Sequence, residues 1–208
     1  LQTESNDIDS LKAAAYPESN NDIATEITNT VGVIGENINL RRVASLAVDN
    51  GIVATYVHNA VADNLGKIGV LLALESDAEA NKLQEIGKKI AMHIAASKPE
   101  STDVESLDKQ LIEKEKTIFA EQARASGKPD SIIEKMVEGR IRKYYEEVVL
   151  LEQAFVIDNK ISVKELLDNF SKENGTDIKV KDFKLFILGE GVTREESDFA
   201  EEVKQMAQ

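Results

Sequence analysis

The sequence predicts an α+β fold in which small antiparallel sheets pack against helices, and three observations predict it. Two β-branched, apolar runs, residues 52–57 and 68–74, flank a polar connection containing glycine, the pattern of paired strands. Helical stripes with start and stop signals lie on both sides of that pair. Residues 104–149 change character: two narrow-striped, highly charged stretches meet at Gly127-Lys128-Pro129, which reads as an antiparallel helical hairpin. Because the strands are joined by hairpin or helical connections, α+β is the better class.

Taken in order, residues 1–30 are acidic and loosely patterned. A short helix is expected over residues 9–15, cut off by Tyr16-Pro17 because the residue before proline avoids helical dihedrals. Ile23, Ile27 and Val31 recur every fourth position and Gly35 follows as a stop, marking a second helix. Residues 37–46 read as a strand interrupted by Arg41 and Arg42. After the strand pair, Ser76-Asp77-Ala78-Glu79 has capping-box spacing, and Leu83, Ile86, Ile90 and Ile94 form the stripe of a helix that Pro99 ends. In the expected hairpin the stripes are Val104, Leu107, Leu111, Ile118 and Gln122, then Ile133, Val137, Ile141, Tyr144 and Val148. A short strand at residues 154–158 precedes a second capping box, Ser162-Val163-Lys164-Glu165, whose helix ends at Asn174-Gly175. Residues 178–188 form a strand whose alternation slips near Asp182-Phe183, predicting a bulge. Thr193-Arg194-Glu195-Glu196 caps a final helix with Phe199, Val203 and Met206 facing inward.

Composition narrows the function classes. The 208 residues suffice for one large or two small domains, and 42% hydrophobic with 30% charged residues is a globular balance. Aromatic residues make up only 5% and Trp is absent, so the core must be Ile, Val, Leu and Ala. A net charge of −13 argues against wrapping nucleic acid, which needs clustered Lys and Arg. There is no Cys, which removes disulfides and thiolate metal sites and fits a reducing cytoplasm. No apolar run approaches the roughly 20 residues of a membrane span. The sequence opens Leu-Gln-Thr-Glu, with neither an initiator Met nor a signal-peptide pattern, and reads as a fragment.

Tests for chemistry come out negative. Gly66-Lys67 and Gly127-Lys128 are not followed by Ser or Thr and have no Gly five residues before, so neither is a phosphate-binding loop. The histidines, His58 and His93, have no metal-ligand spacing, and no cofactor is expected. No nucleophile elbow occurs and an enzyme active site is not expected. Taken alone, His58 ends a strand, and such a histidine is more often structural than functional; His93, between Ile90 and Ile94, reads as a core-edge residue. Arg41 and Arg42 would point to opposite faces of a strand, one of them meeting an acidic neighbour. The charged flank Glu113, Lys114, Glu115 and Lys116 reads as solvated helix surface.

Five stretches carry a resemblance: GENINLRR from Gly35, the Tyr56-Val57-His58 step, KIGVLLAL from Lys67, IAMHIAASKPE from Ile90, and GKPDSIIEKMVEGRIRK from Gly127, continuing to GEGVTREESDFAEEV from Gly189. Together they resemble bacterial elongation factor Ts, the nucleotide-exchange partner of the translation GTPase EF-Tu, from about Gly35 onward. The resemblance implies a coiled-coil hairpin inserted into a core domain. It divides the chain into the remainder of a first core subdomain (1–49), a second core subdomain in two parts (50–103 and 150–192), the inserted hairpin (104–149) and a C-terminal helical module (193–208). It further implies that His58, with Tyr56 and Asn59, binds the partner, His58 at the GTPase's phosphate-binding loop. Asn59 stands where similar proteins usually have Gly, and the connection to Gly69 is longer. Similar full-length proteins also begin with a helical GTPase-binding module and strands bearing a Thr-Asp-Phe step, and this sequence contains neither. The expected function is nucleotide exchange on EF-Tu in the cytoplasm, without direct contact to nucleic acid or membrane; a homodimer remains open. The competing expectation is an interaction scaffold that uses the helical hairpin for self-association or docking and is indifferent to the GTPase's nucleotide state.

Overall fold

The computed structural model describes residues 6–192 apart from Ser126 and Lys128. The expected helix after Thr193 lies outside the described residues. Two short helices come first, α1 (Ile8–Ala13) and α2 (Ile23–Ile34). Each starts at an aspartate whose carboxylate accepts a backbone N–H three residues on, Asp7 from Ser10 and Asp22 from Thr25. The Ser10 and Thr25 hydroxyls, and after them these backbone bonds, hold both carboxyls below the usual range. The expected stop at Gly35 holds: it takes the left-handed conformation and its N–H bonds to the carbonyl of Val31.

The centre of the fold is a three-stranded antiparallel sheet of β1 (Gly51–Ala62), β2 (Leu65–Ser76) and β3 (Ile178–Ile187), in that order. The first two strands are longer than the apolar runs suggest. What reads as a polar connection is the outer part of a hairpin, closed by a turn at Asp63-Asn64 with Ala62 opposite Leu65. Polar residues are admitted there because that end of the hairpin is exposed to water. The bulge near Asp182 is present, with the register shifting between Val180 and Asp182.

Period-two alternation gives the sheet a covered face. Ile52, Ala54 and Tyr56 on β1 stand beside Leu74, Leu72 and Val70 on β2, and these beside Val180, Phe183 and Leu185 on β3. Helix α3 (Ala80–Ser97) lays its predicted stripe of Leu83, Ile86, Ile90 and Ile94 on this face, and α6 (Val163–Asn174) adds Val163 and Leu167. Leu72, Leu74, Ile90, Ile94 and Val163 are completely buried, each contributing about 1.5–3 kcal/mol. Gly87 allows the close approach of α3, since a Cβ there would stand 2.7 Å from the Cβ of Ala54.

Between α3 and α6 the chain makes a second helix pair, α4 (Lys109–Ala125) and α5 (Asp130–Val148), which pack on one another. At its base Leu107, Ile112 and Val149 form a small separate cluster with Val104, Tyr144, Tyr145 and Val148. The α5 stripe is as predicted, with Ile133 and Ile141 buried. On α4 the expected phase is wrong: Ile112 and Ala123 are buried, whereas Leu111 and Gln122 are exposed. Val104 and Leu107 precede the helix instead of belonging to it, so counting helical turns from them set the wrong phase. Among the described residues, no helix is long and apolar enough to cross a membrane.

Three further expectations fail for local reasons. Residues 37–46 form no strand, because Arg41 and Arg42 both reach Glu190 and the Ser45 N–H bonds to the Asn6 side chain in place of a neighbouring strand. Ser76 does not cap α3. It ends β2, donating its hydroxyl to the Asp177 carbonyl and accepting the Ala78 N–H, and the helix starts after Glu79 without a side-chain cap. The short strand at residues 154–158 is a single bridge, Ala154 to Ser162. The capping box at Ser162 and Glu165 is formed with both hydrogen bonds, 3.1 and 2.7 Å.

Candidate partner-binding site at the hairpin tip

Burial falls steadily along the covered face of β1. Ala54 is 1% exposed, Tyr56 is half-buried, and His58 is exposed. The sequence places His58 at the end of a strand, but the structure puts it within β1, opposite Ile68, with the hairpin continuing four residues further. Helix α3 does not cover this part of the sheet, so the imidazole is presented to solvent.

Tyr56 and His58, two residues apart on one strand, share a face. The Tyr56 hydroxyl lies 3.0 Å from His58 Nδ1, and the ring centroids are 6.1 Å apart. A phenol is a better donor than acceptor, so Tyr56 fits as donor to Nδ1, which leaves Nε2–H as the outward-facing donor. Asn59 has a positive φ of 51°. Gly adopts such a backbone most readily, and among residues with a side chain Asn tolerates it best. Beyond it, Val61 and Leu65 are 81% and 61% exposed on either side of the turn, an apolar tip next to the polar His58.

His93 is not a core-edge residue. It is completely buried, its Nε2 2.8 Å from Gln153 Oε1 and its Nδ1 3.3 Å from the backbone N of Val156. Val156 can only donate, so Nδ1 accepts and Nε2 carries the proton to Gln153, whose amide nitrogen in turn donates to the Glu147 carbonyl at 2.7 Å. Burial pushes the His93 pKa below its ordinary value, against a smaller opposing effect of Gln153. Sequence reading missed this role because no local pattern links residues 60 positions apart. Lys116 bonds to Glu113 at 2.7 Å as a surface pair, as the charged flank of α4 suggests. Among the described residues, no group of three or more His, Asp or Glu is arranged to hold a metal.

These features define a class: an α+β frame with a helix pair set between two parts of its core, and exposed polar and apolar groups at one hairpin tip. The family model described as Elongation factor TS matches residues 1–190. Elongation factor Ts of Rhodospirillum centenum is 50% identical over 205 residues, which is 99% of this chain and 67% of that protein. The protein of the same name from Paramagnetospirillum magneticum is 50% identical over 97% of this chain and 64% of its own length. That of Erythrobacter litoralis is 51% identical over 98% and 66%. The chain belongs to the elongation factor Ts family, and it spans about two thirds of the length of these curated relatives.

Proposed function

We propose that this chain binds the translation GTPase EF-Tu and promotes GDP release from it, in the cytoplasm and without catalysing a reaction of its own. Membership of the elongation factor Ts family over residues 1–190 carries this reading. A factor that prefers the nucleotide-free GTPase must weaken nucleotide binding by the same ratio, so exchange requires a binding surface and no bond-making groups. In this reading His58 is the polar contact, directed by Tyr56, and Asn59 keeps the backbone turn behind it. Residues 50–103 and 150–192 form one core subdomain, residues 1–49 the remainder of another, and residues 104–149 an antiparallel coiled-coil hairpin that supplies secondary contacts.

Fluorescent GDP release from EF-Tu, followed by stopped flow with and without the chain, tests the proposal. Faster release that scales with chain concentration is the expected result. Equal affinity for GDP-bound and nucleotide-free EF-Tu, measured by calorimetry, would refute it.

A further inference from the structure

The helix pair α4/α5 stands on a base of its own. Its buried cluster, Leu107, Ile112 and Val149, has no residue in common with the core on the sheet, so shared apolar packing does not set the direction in which the pair leaves that core. The two clusters meet at one peptide: Val149 is completely buried in the base cluster, and Leu150, the next residue, completely buried in the core. Extended backbone at Val149 sends the two side chains to opposite sides. Residues 100–102 run beside them, paired in parallel through Ser101 and Val149. The Glu100 N–H donates to the Val148 carbonyl at 2.7 Å, and the Leu150 and Leu151 N–H groups donate to the Ser101 and Thr102 carbonyls at 2.9 and 3.1 Å. These bonds make a neck of two chain segments.

Two paired segments can still bend and twist, and Gln153 is placed to prevent it. The residue is 4% exposed. Its Nε2 donates to the Glu147 carbonyl at 2.7 Å and to the Ser97 carbonyl at 3.4 Å, while its Oε1 accepts from His93 Nε2 at 2.8 Å. Those carbonyls belong to the last turns of α5 and α3, where helix carbonyls lack an intrahelical partner. One amide thus ties the end of the helix pair to the end of the core helix, with His93 as a third anchor. Its orientation is fixed, since both carbonyls can only accept. Glu could accept but not donate, and Asn is one methylene shorter. Among the described residues, four of the five buried polar residues, His93, Ser101, Thr102 and Gln153, lie at this neck. A buried amide with its bonds complete adds little net stability over an apolar side chain of the same shape. What it adds is direction, because hydrogen bonds fix angles that apolar contacts leave free.

We propose that Gln153 is a positioning residue: it fixes the angle between the α4/α5 pair and the sheet core, so that the pair and the β1–β2 hairpin tip meet one partner as two contacts at a constant separation. The identity of the partner rests on the exchange reading above; the angle does not.

In the unaltered chain, residual dipolar couplings of the α3 and α5 backbone amides should fit a single alignment tensor; two different tensors would overturn the fixed angle. The chain has no Cys, so nitroxides on Lys88→Cys and Glu134→Cys, both exposed, report the distance from α3 to the outer part of α5 by double electron–electron resonance. Roughly 20 Å of helix separates Glu134 from the neck, so a tilt of about 10° moves its label by about 3–4 Å. A narrow distribution is expected, broadening or shifting by at least that much in Gln153→Leu and in Gln153→Met. Leu72→Ala, which opens a cavity in the core away from the neck, should lower the melting temperature and leave the distribution narrow. An unchanged distribution in the Gln153 variants, or equal broadening in Leu72→Ala, would overturn the positioning role. Without labels, Gln153→Leu should bind nucleotide-free EF-Tu about three- to tenfold more weakly at a temperature where it is folded; affinity equal to that of the unaltered chain would overturn the two-contact role. If the unaltered chain fails to bind EF-Tu, the exchange reading and the two-contact role fall together, while the couplings and distances still decide the angle.

Discussion

Replacing His93 by Ala removes a buried side chain that hydrogen-bonds α3 to the segment leading into α6. One bonded partner, Gln153 Oε1, would be left buried without its hydrogen bond, while the Val156 N–H belongs to an exposed residue and can turn to water. The unsatisfied oxygen costs about 1–3 kcal/mol, and the lost packing against Phe155 adds to that, so a total of roughly 2–4 kcal/mol is expected. For a chain of this size that corresponds to a melting temperature lower by roughly 4–16 °C. The same bonds set a pH dependence. Protonated His93 would direct a second N–H at Val156, itself a donor, and would bury a charge. Its folded pKa is depressed below the unfolded value of about 6.5, so the unfolded chain takes up the proton first as pH falls. The His93 contribution is therefore complete above pH ~6.5 and is lost as pH drops from there through the folded value. Urea midpoints measured between pH 8 and 5 should decline in the native chain and decline less in His93→Gln. A loss under about 1 kcal/mol in His93→Ala, or identical pH profiles for native and Gln chains, would refute the tautomer and burial argument.

Three other outcomes follow from the packing and the tip. Gly87→Ala should destabilise by about 1–3 kcal/mol in spite of the better helix propensity of Ala, because the new Cβ meets Ala54 and Leu74; a stabilised variant in thermal melts would show that α3 can lift off the sheet at no cost. His58→Ala should leave the melting temperature nearly unchanged and weaken binding to nucleotide-free EF-Tu by about 0.5–1.5 kcal/mol, one modest hydrogen bond; the reverse pattern would make His58 structural. Hydrogen exchange should be fastest over α1, α2 and residues 37–48, since each of these helices buries a single residue, Leu11 and Ile23; protection there equal to that of β2 would contradict this.

The parts legible in the sequence were those in which a periodic pattern meets its partner nearby. The α3 stripe, the Ser162 capping box and the bulge before Asp182 were readable for that reason. The unreadable parts depend on what stands opposite. Ser76 has capping-box spacing, yet it pairs into β2, and strand pairing with β3 outweighs a local cap. Residues 58–66, with His, Asn, Asp and Gly among them, resemble a loop because sequence alone does not show that water reaches both faces of the hairpin there. Arg41 and Arg42 were expected to part, and they meet at a carbonyl and a carboxylate of Glu190, contributed by the far end of the chain. His58 and Tyr56 were legible only through family resemblance, whereas their mutual hydrogen bond required the strand face to be known.

One strand carries both the fold and the candidate contact, and the burial gradient along β1 keeps them apart. At its start, Ala54 is held between β2 and α3, where added volume is costly. Seven residues later Val61 makes no demand on the core and is free to meet a partner. Tyr56 joins the two regimes: its ring packs on the core while its hydroxyl reaches His58. Under the proposed exchange reading, a binding group set on a strand anchored in this way loses little freedom on association, leaving more of its interaction to discriminate between nucleotide states of the GTPase. For exchange only that discrimination counts, because affinity shared equally by the GDP-bound and empty forms releases nothing.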